Sequence, residues 1–436
     1  MKPVAVPADG RARTGRTDLR DIHVCVSAYA CDPTRGSEPG IGWNLVREIA
    51  RRHRVWAITR EKNRAAIARE LQQTPLPNLR MVYFDLPRWA LSWKRGQLGI
   101  ELYYDLWHRL TRRIVRDLDR EVGLDLTHHV TFGRYWGPTS LAYISRPFVW
   151  GPVGGGETAP AAFRADFGWR GRTYESLRHT ARRCGEWAPS VRRTARRAAL
   201  GLAVTPETRA RMLALGTKHV ELFSAMGFDR VSYDYLANLP SPSSVPLRFI
   251  SIGRLLHWKG FHLGLKAFAA AAIPHSEYWI VGDGPEASNL ANLVRTLGLE
   301  SRVRFCGAQP RTKALEMLAA SHVLVHPSVH DSGGWVCLEA MAAAKPVLCL
   351  DLGGPAQIVT DTTGVIVAAE NPGQSICDLA QAMTQVGTNA EVRRMMGDAG
   401  RARVRHEFMW EQKGQRLDDL YASVLTGTSA PQPVVA

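Results

Sequence analysis

The feature that most limits the fold of this chain is an alternation of short apolar runs with helical patterns, sustained over nearly its whole length. IHVCVSAY at 22–29, RVWAIT at 54–59, MVYFDL at 81–86, LDLTHHV at 124–130 and PFVWG at 147–151 read as strands. Between them fall a helix from about Gly42 to His53, another near 61–72 and a long amphipathic one around 99–121. Strands that are apolar throughout are buried on both faces, and helices between them make right-handed βαβ units of a parallel sheet. The series restarts at LRFISIG (247–253) and continues through YWIVGDG (278–284), VRFCG (303–307), HVLVHPS (322–328), PVLCLD (346–351) and GVIV (364–367). The Pro- and Ser-rich stretch at 233–246 between the two series reads as a linker. The expected architecture is therefore α/β, with two doubly wound, Rossmann-like domains facing a central cleft. Residues 21–240 form the first and 246–408 the second; residues 1–20 are a flexible basic arm, and a last helix at about 409–425 crosses back to the first domain. In such sheets ligands bind outside the carboxyl ends of the strands, so the loops after strands are where chemistry is expected.

Two of those loops carry chemistry. Gly253-Arg254-Leu255-Leu256-His257-Trp258-Lys259-Gly260 follows a strand and precedes a helix. An Arg fork, a Lys point charge and the N–H groups of a helix N-terminus suit a dianionic group such as a diphosphate, with no metal. Two solvated cations at a helix start are the equally available reading. After HVLVHPS comes Asp331-Ser332-Gly333-Gly334-Trp335-Val336-Cys337-Leu338-Glu339. Asp331 on the loop and Glu339 about two turns into the helix can face one pocket, and a carboxylate accepts hydrogen bonds from neighbouring sugar hydroxyls. Alternatively Asp331 or Ser332 caps the helix and Glu339 faces solvent.

Together, GRLLHWKG and the D-x7-E segment some 70 residues later resemble the signature of GT-B-fold retaining glycosyltransferases, the large family 4 group. YWIVGDGPE, VRFCGAQPR, GGPAQIVTDTTGVIV and, at the other end, SAYACDPTRGSEPGIGWNLVREIA look like further segments of it, so the resemblance covers nearly all of 22–425. It implies a metal-independent hexosyltransferase that uses a nucleotide-diphosphate sugar as donor, a glycan or lipid-linked molecule as acceptor, and no cofactor. Arg254 and Lys259 would then bind the donor diphosphate, with Gly253 opening their loop, and Glu339 would hold the ribose. Asp331 stands where the family has a Glu that touches the donor sugar, one methylene shorter here. Gly333, Gly334 and Trp335 would offer backbone N–H groups, and Gly40 and Gly42 would let the first domain's backbone approach the diphosphate. Of His128 and His129, which end a strand, His129 better matches a His beside the reacting sugar; core packing is the other reading. Phe132, Arg134 and Tyr135, and the turn Gly151–Glu157, fall where they could line the cleft. A nucleotide-sugar hydrolase or epimerase of the same fold is the enzymatic alternative.

Charge bears on partners. Residues 1–245 hold 39 Lys+Arg and 23 Asp+Glu, while residues 246–436 hold 17 of each, so the net +16 sits wholly in the first half. No basic–aromatic RNA motif or helix-turn-helix pattern accompanies it, and nucleic acid is not expected as a partner. Residues 163–197 carry ten Arg against three acids, and 108–120 carry five Arg against two. Leu110, Ile114 and Leu118, with Trp89, Trp93, Tyr103, Tyr104 and Trp107 upstream, give the second of these an amphipathic, aromatic cast. Such a surface suits an anionic membrane, or a protein that simply binds anionic surfaces; a solvated helix face over a core stripe fits as well. The N-terminus lacks an apolar signal region, no run is long enough to span a bilayer, and the seven cysteines include no C-x-x-C. These features point to buried free thiols and a cytoplasmic protein, peripheral on the inner face of a membrane if the basic half docks there. Asp117-Leu118-Asp119 spells a metal-binding pattern but lies in a helical, Arg-rich stretch, and no cluster has metal-ligand spacing.

Overall fold

The computed structural model describes residues 21–87 and 99–428. The arm 1–20 and the tryptophans Trp89 and Trp93 lie outside the described residues. Seven strands form the first sheet: β1 (His23–Ala28), β2 (Arg54–Thr59), β3 (Leu79–Tyr83), β4 (Leu126–Thr131), β5 (Phe148–Val153), β6 (Leu200–Ala203) and β7 (Val220–Leu222). Their order is β3-β2-β1-β4-β5-β6-β7. Six more, β8 (Leu247–Ile252), β9 (Ser276–Val281), β10 (Val303–Phe305), β11 (Val323–His326), β12 (Val347–Leu350) and β13 (Gly364–Val367), form the second in the order β10-β9-β8-β11-β12-β13. Every pairing is parallel. The strand order reverses between β1 and β4 in one sheet and between β8 and β11 in the other. The loops leaving those four strands therefore border the crevice of each sheet.

Continuous apolar runs became central strands because both faces are covered: every residue of β4, β5, β6, β11 and β12 is buried. The sequence reading did not assign β6 or β7, whose four and three residues are too short to carry a pattern. It also began the first helix too late. That helix runs Ser37–Ala50, so Gly40 and Gly42 lie inside its first turns rather than on a loop. A Cβ on Gly40 would sit 2.4 Å from the Arg35 carbonyl oxygen, and one on Gly42 2.0 Å from that of Ala30. Both glycines let the loop after β1 fold flat against the helix.

Two segments cross between the sheets in opposite directions. The final helix, Trp410–Thr426, places Trp410, Leu417, Leu420 and Tyr421 in the core of the first sheet. Its Lys413 ammonium donates to the Ser224 carbonyl (2.6 Å), and burial pushes that amine down to about 7. In return Ala159, Phe163 and Phe167 enter the core of the second sheet. The helix Trp169–Trp187 follows them.

The aromatic residues expected at a membrane surface are largely internal. Tyr103, Tyr104 and Trp107 on the helix Ile100–Val122 are fully buried. The Tyr103 hydroxyl donates to Asp85 (2.6 Å) and the Trp107 indole N–H to the Phe84 carbonyl (2.9 Å). Ile114 and Leu118 lean on the same core. Asp117 pairs with Arg113 and Arg120, and Asp119 with Arg146, so the D-x-D carboxylates are ordinary helix charges. Cys25, Cys31, Cys337 and Cys349 are buried free thiols; Cys184 and Cys377 are exposed.

Candidate functional site

The loop after β8 opens at Gly253 (φ 156°), carries Arg254 into solvent, and closes through the short turn His257–Lys259. Gly260, at φ 66°, then admits the neighbouring loop: a Cβ there would stand 1.9 Å from the Pro327 carbonyl oxygen. That neighbour is the loop after β11. The Trp258 carbonyl accepts from the Val329 amide (2.9 Å) and the Ser328 hydroxyl (3.1 Å), so the two candidate loops are joined through backbone as well as side chains.

Their charged residues meet. The Lys259 ammonium donates to Asp331 Oδ2, and His326 Nε2 lies 3.2 Å from the same oxygen; Asp331 Oδ1 accepts the Gly333 amide (3.1 Å). Burial alone would raise the Asp331 carboxyl, but Lys259 and His326 together hold it well below the usual carboxylate range. Asp331 is thus no helix cap. The following helix, Trp335–Ala342, starts from Gly334 in the left-handed region (φ 73°) without a side-chain cap, leaving its first amides unbonded by side chains. Glu339 does not face solvent either: it is 7% exposed, pairs with Arg311 at 2.7 Å, and is raised by burial against the pull of Arg311.

Across the crevice a cavity of about 300 Å³ lies among Glu38, Ile41, Phe132, Gly133, Met226 and, from the opposite loop, Ser332. It is mainly apolar, with Glu38 as its carboxylate. The Gly133 amide donates to Glu38; burial raises the Glu38 carboxyl, opposed by that amide and by Arg134. Phe132 and Arg134 line this cavity as their position in the sequence suggested, whereas Tyr135 is fully buried and donates to Glu186 (2.5 Å).

His129 is not at the cleft edge. It is 1% exposed, with Nε2 3.4 Å from the Phe132 carbonyl, and burial pushes it down to about 4. His128 faces the other side of the sheet, where its Nε2–H donates to the Gly151 carbonyl (2.6 Å) and Nδ1 is left to accept from the Tyr421 hydroxyl. Burial pushes His128 down to about 3. Both belong to a central strand, and this stretch of the chain reaches the cavity only beyond them, at Val130–Arg134.

Two carboxylates bind the loops from the first-sheet side: Glu157, at the end of the turn expected along the cleft, and Glu175, to which the sequence assigns no role. Glu157 Oε1 accepts from Thr205 (2.7 Å) and Thr208 (3.0 Å), while Oε2 accepts from the Gly155 amide (2.9 Å) and the Ser332 hydroxyl (2.7 Å). Glu175, on the helix Trp169–Trp187, accepts from His330 Nε2 (2.9 Å) and His257 Nε2 (3.3 Å). Burial works against the Glu175 charge, yet the two histidines and Arg178 hold its carboxyl far below the usual range. Around them Tyr174 stacks on Trp258 (5.1 Å, 11°) and Trp258 on His330 (5.2 Å, 16°). No motif announces these contacts, because, Gly155 and Arg178 apart, their partners lie 48 to 175 residues away.

Residues 242–403 match the family described as glycosyl transferases group 1. The chain is 30% identical over 223 residues to the lipopolysaccharide core biosynthesis glycosyltransferase LpsE of Rhizobium meliloti, covering 51% of this chain and 62% of that protein. It is 27% identical over 385 residues to the 2-deoxystreptamine N-acetyl-D-glucosaminyltransferase of Streptomyces fradiae, covering 85% and 87%. Among solved structures, sucrose-phosphate synthase from Thermosynechococcus elongatus superposes with a TM-score of 0.61 at 18% identity, over 93% of this chain and all of that one. Anabaena Alr3699/HepE in complex with UDP and glucose does so with a TM-score of 0.58 at 19% identity, over 92% and 100%. These neighbours share the two-sheet GT-B architecture with its interposed crevice. The segment 242–403 that matches the glycosyl transferases group 1 family is the one that holds Arg254, Lys259, Asp331 and Glu339.

Proposed function

We propose that this protein transfers a hexosyl group from a nucleotide-diphosphate sugar to an acceptor hydroxyl, with retention at the anomeric carbon and without a metal, in bacterial polysaccharide or glycolipid assembly. The observation that carries the reading is the junction of the loops after β8 and β11, where Lys259 and Asp331 meet beside the uncapped helix start at Gly334. In the free protein Asp331 neutralises Lys259; a donor diphosphate exchanges that partner for its own oxygens. Arg254, already exposed, adds a second cation, and the amides at Gly333–Trp335 add dipoles. As the diphosphate leaves, charge grows on its oxygens, and groups fixed there beforehand favour the transition state over the bound donor. Asp331, released from Lys259, accepts from the sugar hydroxyls, and Glu339 from the ribose. Retention follows if the leaving phosphate takes the acceptor proton on the same face, a route that needs no protein nucleophile. The acceptor enters through the apolar cavity beside Glu38, and Gly40 and Gly42 serve it indirectly by setting the start of their helix.

The same reading locates the protein at the inner face of a membrane. On the helix Trp169–Trp187, Trp169, Leu177 and Trp187 are 70%, 67% and 72% exposed and share one face, flanked by exposed Arg170, Arg172 and Arg183. Apolar anchors among arginines suit an anionic headgroup layer, at about 1 kcal/mol per close basic residue. No helix of the described residues is long and apolar enough to cross a bilayer. The deciding experiment is a screen of UDP-, GDP- and ADP-sugars with glycan and glycolipid acceptors, the product's anomeric configuration being read by NMR. Acceptor-independent release of the nucleotide as the sole activity would favour a hydrolase, and an inverted product would refute retention.

A further inference from the structure

Asp331 sits between two residues that the first sheet's segment grips. On one side His330 donates to Glu175 (2.9 Å), and on the other Ser332 donates to Glu157 (2.7 Å). Asp331 itself makes its side-chain contacts within its own half, to Lys259 and His326. Both gripping carboxylates are anchored. Glu157 is 2% exposed and tied to Thr205 and Thr208 at the start of the helix Pro206–Ala214. Glu175 is 7% exposed and also accepts from His257, two residues before Lys259. One carboxylate thus reaches both candidate loops, and the other reaches the second loop on the far side of Asp331.

We propose that Glu157 and Glu175 are positioning residues, which fix the backbone on either side of Asp331 so that its sugar-facing carboxylate is in place only when the two halves are docked. The proposal rests on the glycosyl-transfer reading for the role of Asp331, but the grip is a matter of geometry. A carboxylate one methylene shorter than Glu reaches less far, so its backbone must stand closer to its target and tolerates less drift. When the halves separate, His330 and Ser332 lose their acceptors together, and the site comes apart before a donor can be exposed to water. Buried charge-assisted bonds suit this task, since each left unpaired costs its full desolvation and the docked state is correspondingly well defined.

The test compares wild type with Glu175→Gln and Ser332→Ala. The serine variant deletes only one of the four bonds to Glu157, so it folds even if the glutamine variant does not. Three readouts are taken: backbone amide exchange of residues 330–334, affinity for UDP, GDP and ADP by calorimetry, and turnover at saturating donor. Exchange of 330–334 should quicken at least tenfold and turnover fall at least tenfold, with the affinity of whichever nucleotide binds wild type held within threefold. Unchanged exchange, or turnover within twofold of wild type, would overturn the proposal. A loss of nucleotide affinity parallel to the loss of turnover would overturn it too, because the grip would then serve the whole donor rather than Asp331. If wild type turned over no nucleotide sugar, the glycosyl-transfer reading would fall, and the exchange measurement would still decide whether the two carboxylates hold the loop.

Discussion

Replacing Lys259 by Met separates its two duties. Its side chain and that of Asp331 are 20% and 18% exposed, and the pair is in contact. Breaking a fully buried pair costs about 3–5 kcal/mol. Here partial exposure, the His326 ring and the Gly333 amide leave Asp331 compensated in part, so about 1–2 kcal/mol of stability should be lost. That corresponds to a fall in Tm of a few degrees for a chain of this size. Turnover should suffer far more. A charged donor aimed at a developing oxyanion is worth about 3–4 kcal/mol, so the rate at saturating donor should drop on the order of a hundredfold or more. The double variant Lys259→Met with Asp331→Asn removes the orphaned charge, and should recover most of the Tm without recovering turnover. Initial rates and thermal unfolding on the three proteins check this. A rate within threefold of wild type for Lys259→Met would refute the reasoning. So would a double variant that regains both properties, for Lys259 would then act only by neutralising Asp331.

Acid should destabilise the fold through His128 and His129. Their folded pKa values lie near 3 and 4, below the unfolded value of about 6.5, so their neutral forms stabilise the fold above pH 6.5 and that stability fades as pH falls towards 4. By pH 5 each should cost about 2 kcal/mol, read as a lower urea midpoint than at pH 7, and a pH-independent midpoint over this window would contradict their buried neutral state. Gly42→Ala drives a methyl to within 2.0 Å of the Ala30 carbonyl oxygen and should cost about 3 kcal/mol of stability, measured by urea unfolding. Trp169→Ser with Trp187→Ser should weaken co-sedimentation with anionic vesicles by more than tenfold while leaving the circular dichroism spectrum intact; equal binding of both proteins would remove this helix from the membrane reading.

The sheets were legible in the sequence because a strand buried on both faces has to be apolar throughout, and RVWAIT and GVIV became strands residue for residue. The loops after β8 and β11 were legible too, because clustered glycines and charges after a strand have few other uses. What sequence patterns could not supply was direction. Two adjacent histidines on a strand point to opposite faces, and only the packing above and below β4 decides that both are internal. The aromatic residues of the helix Ile100–Val122 looked like membrane anchors, since the carbonyl of Phe84 and the carboxylate of Asp85 that receive them come from a different part of the chain. The stretch 159–187 hid its role for a related reason. Rich in Arg, it lacks the apolar period of a core helix, and only Ala159, Phe163 and Phe167 at its start enter the core of the other half.

The two crossing segments set the terms on which this chain could be recombined with its relatives. The natural place to exchange one second half for another is the Pro- and Ser-rich linker, where the two strand series part. A cut there alone would strip Trp410, Leu417, Leu420 and Tyr421 from the first core and leave Phe163 and Phe167 facing a foreign surface. A chimera that keeps its fold must carry the final helix with the first half, and must match residues 159–175 to whichever half it receives. Each half of this chain is therefore discontinuous, two pieces of sequence rather than one: the final helix completes the first, and residues near 159–167 complete the second.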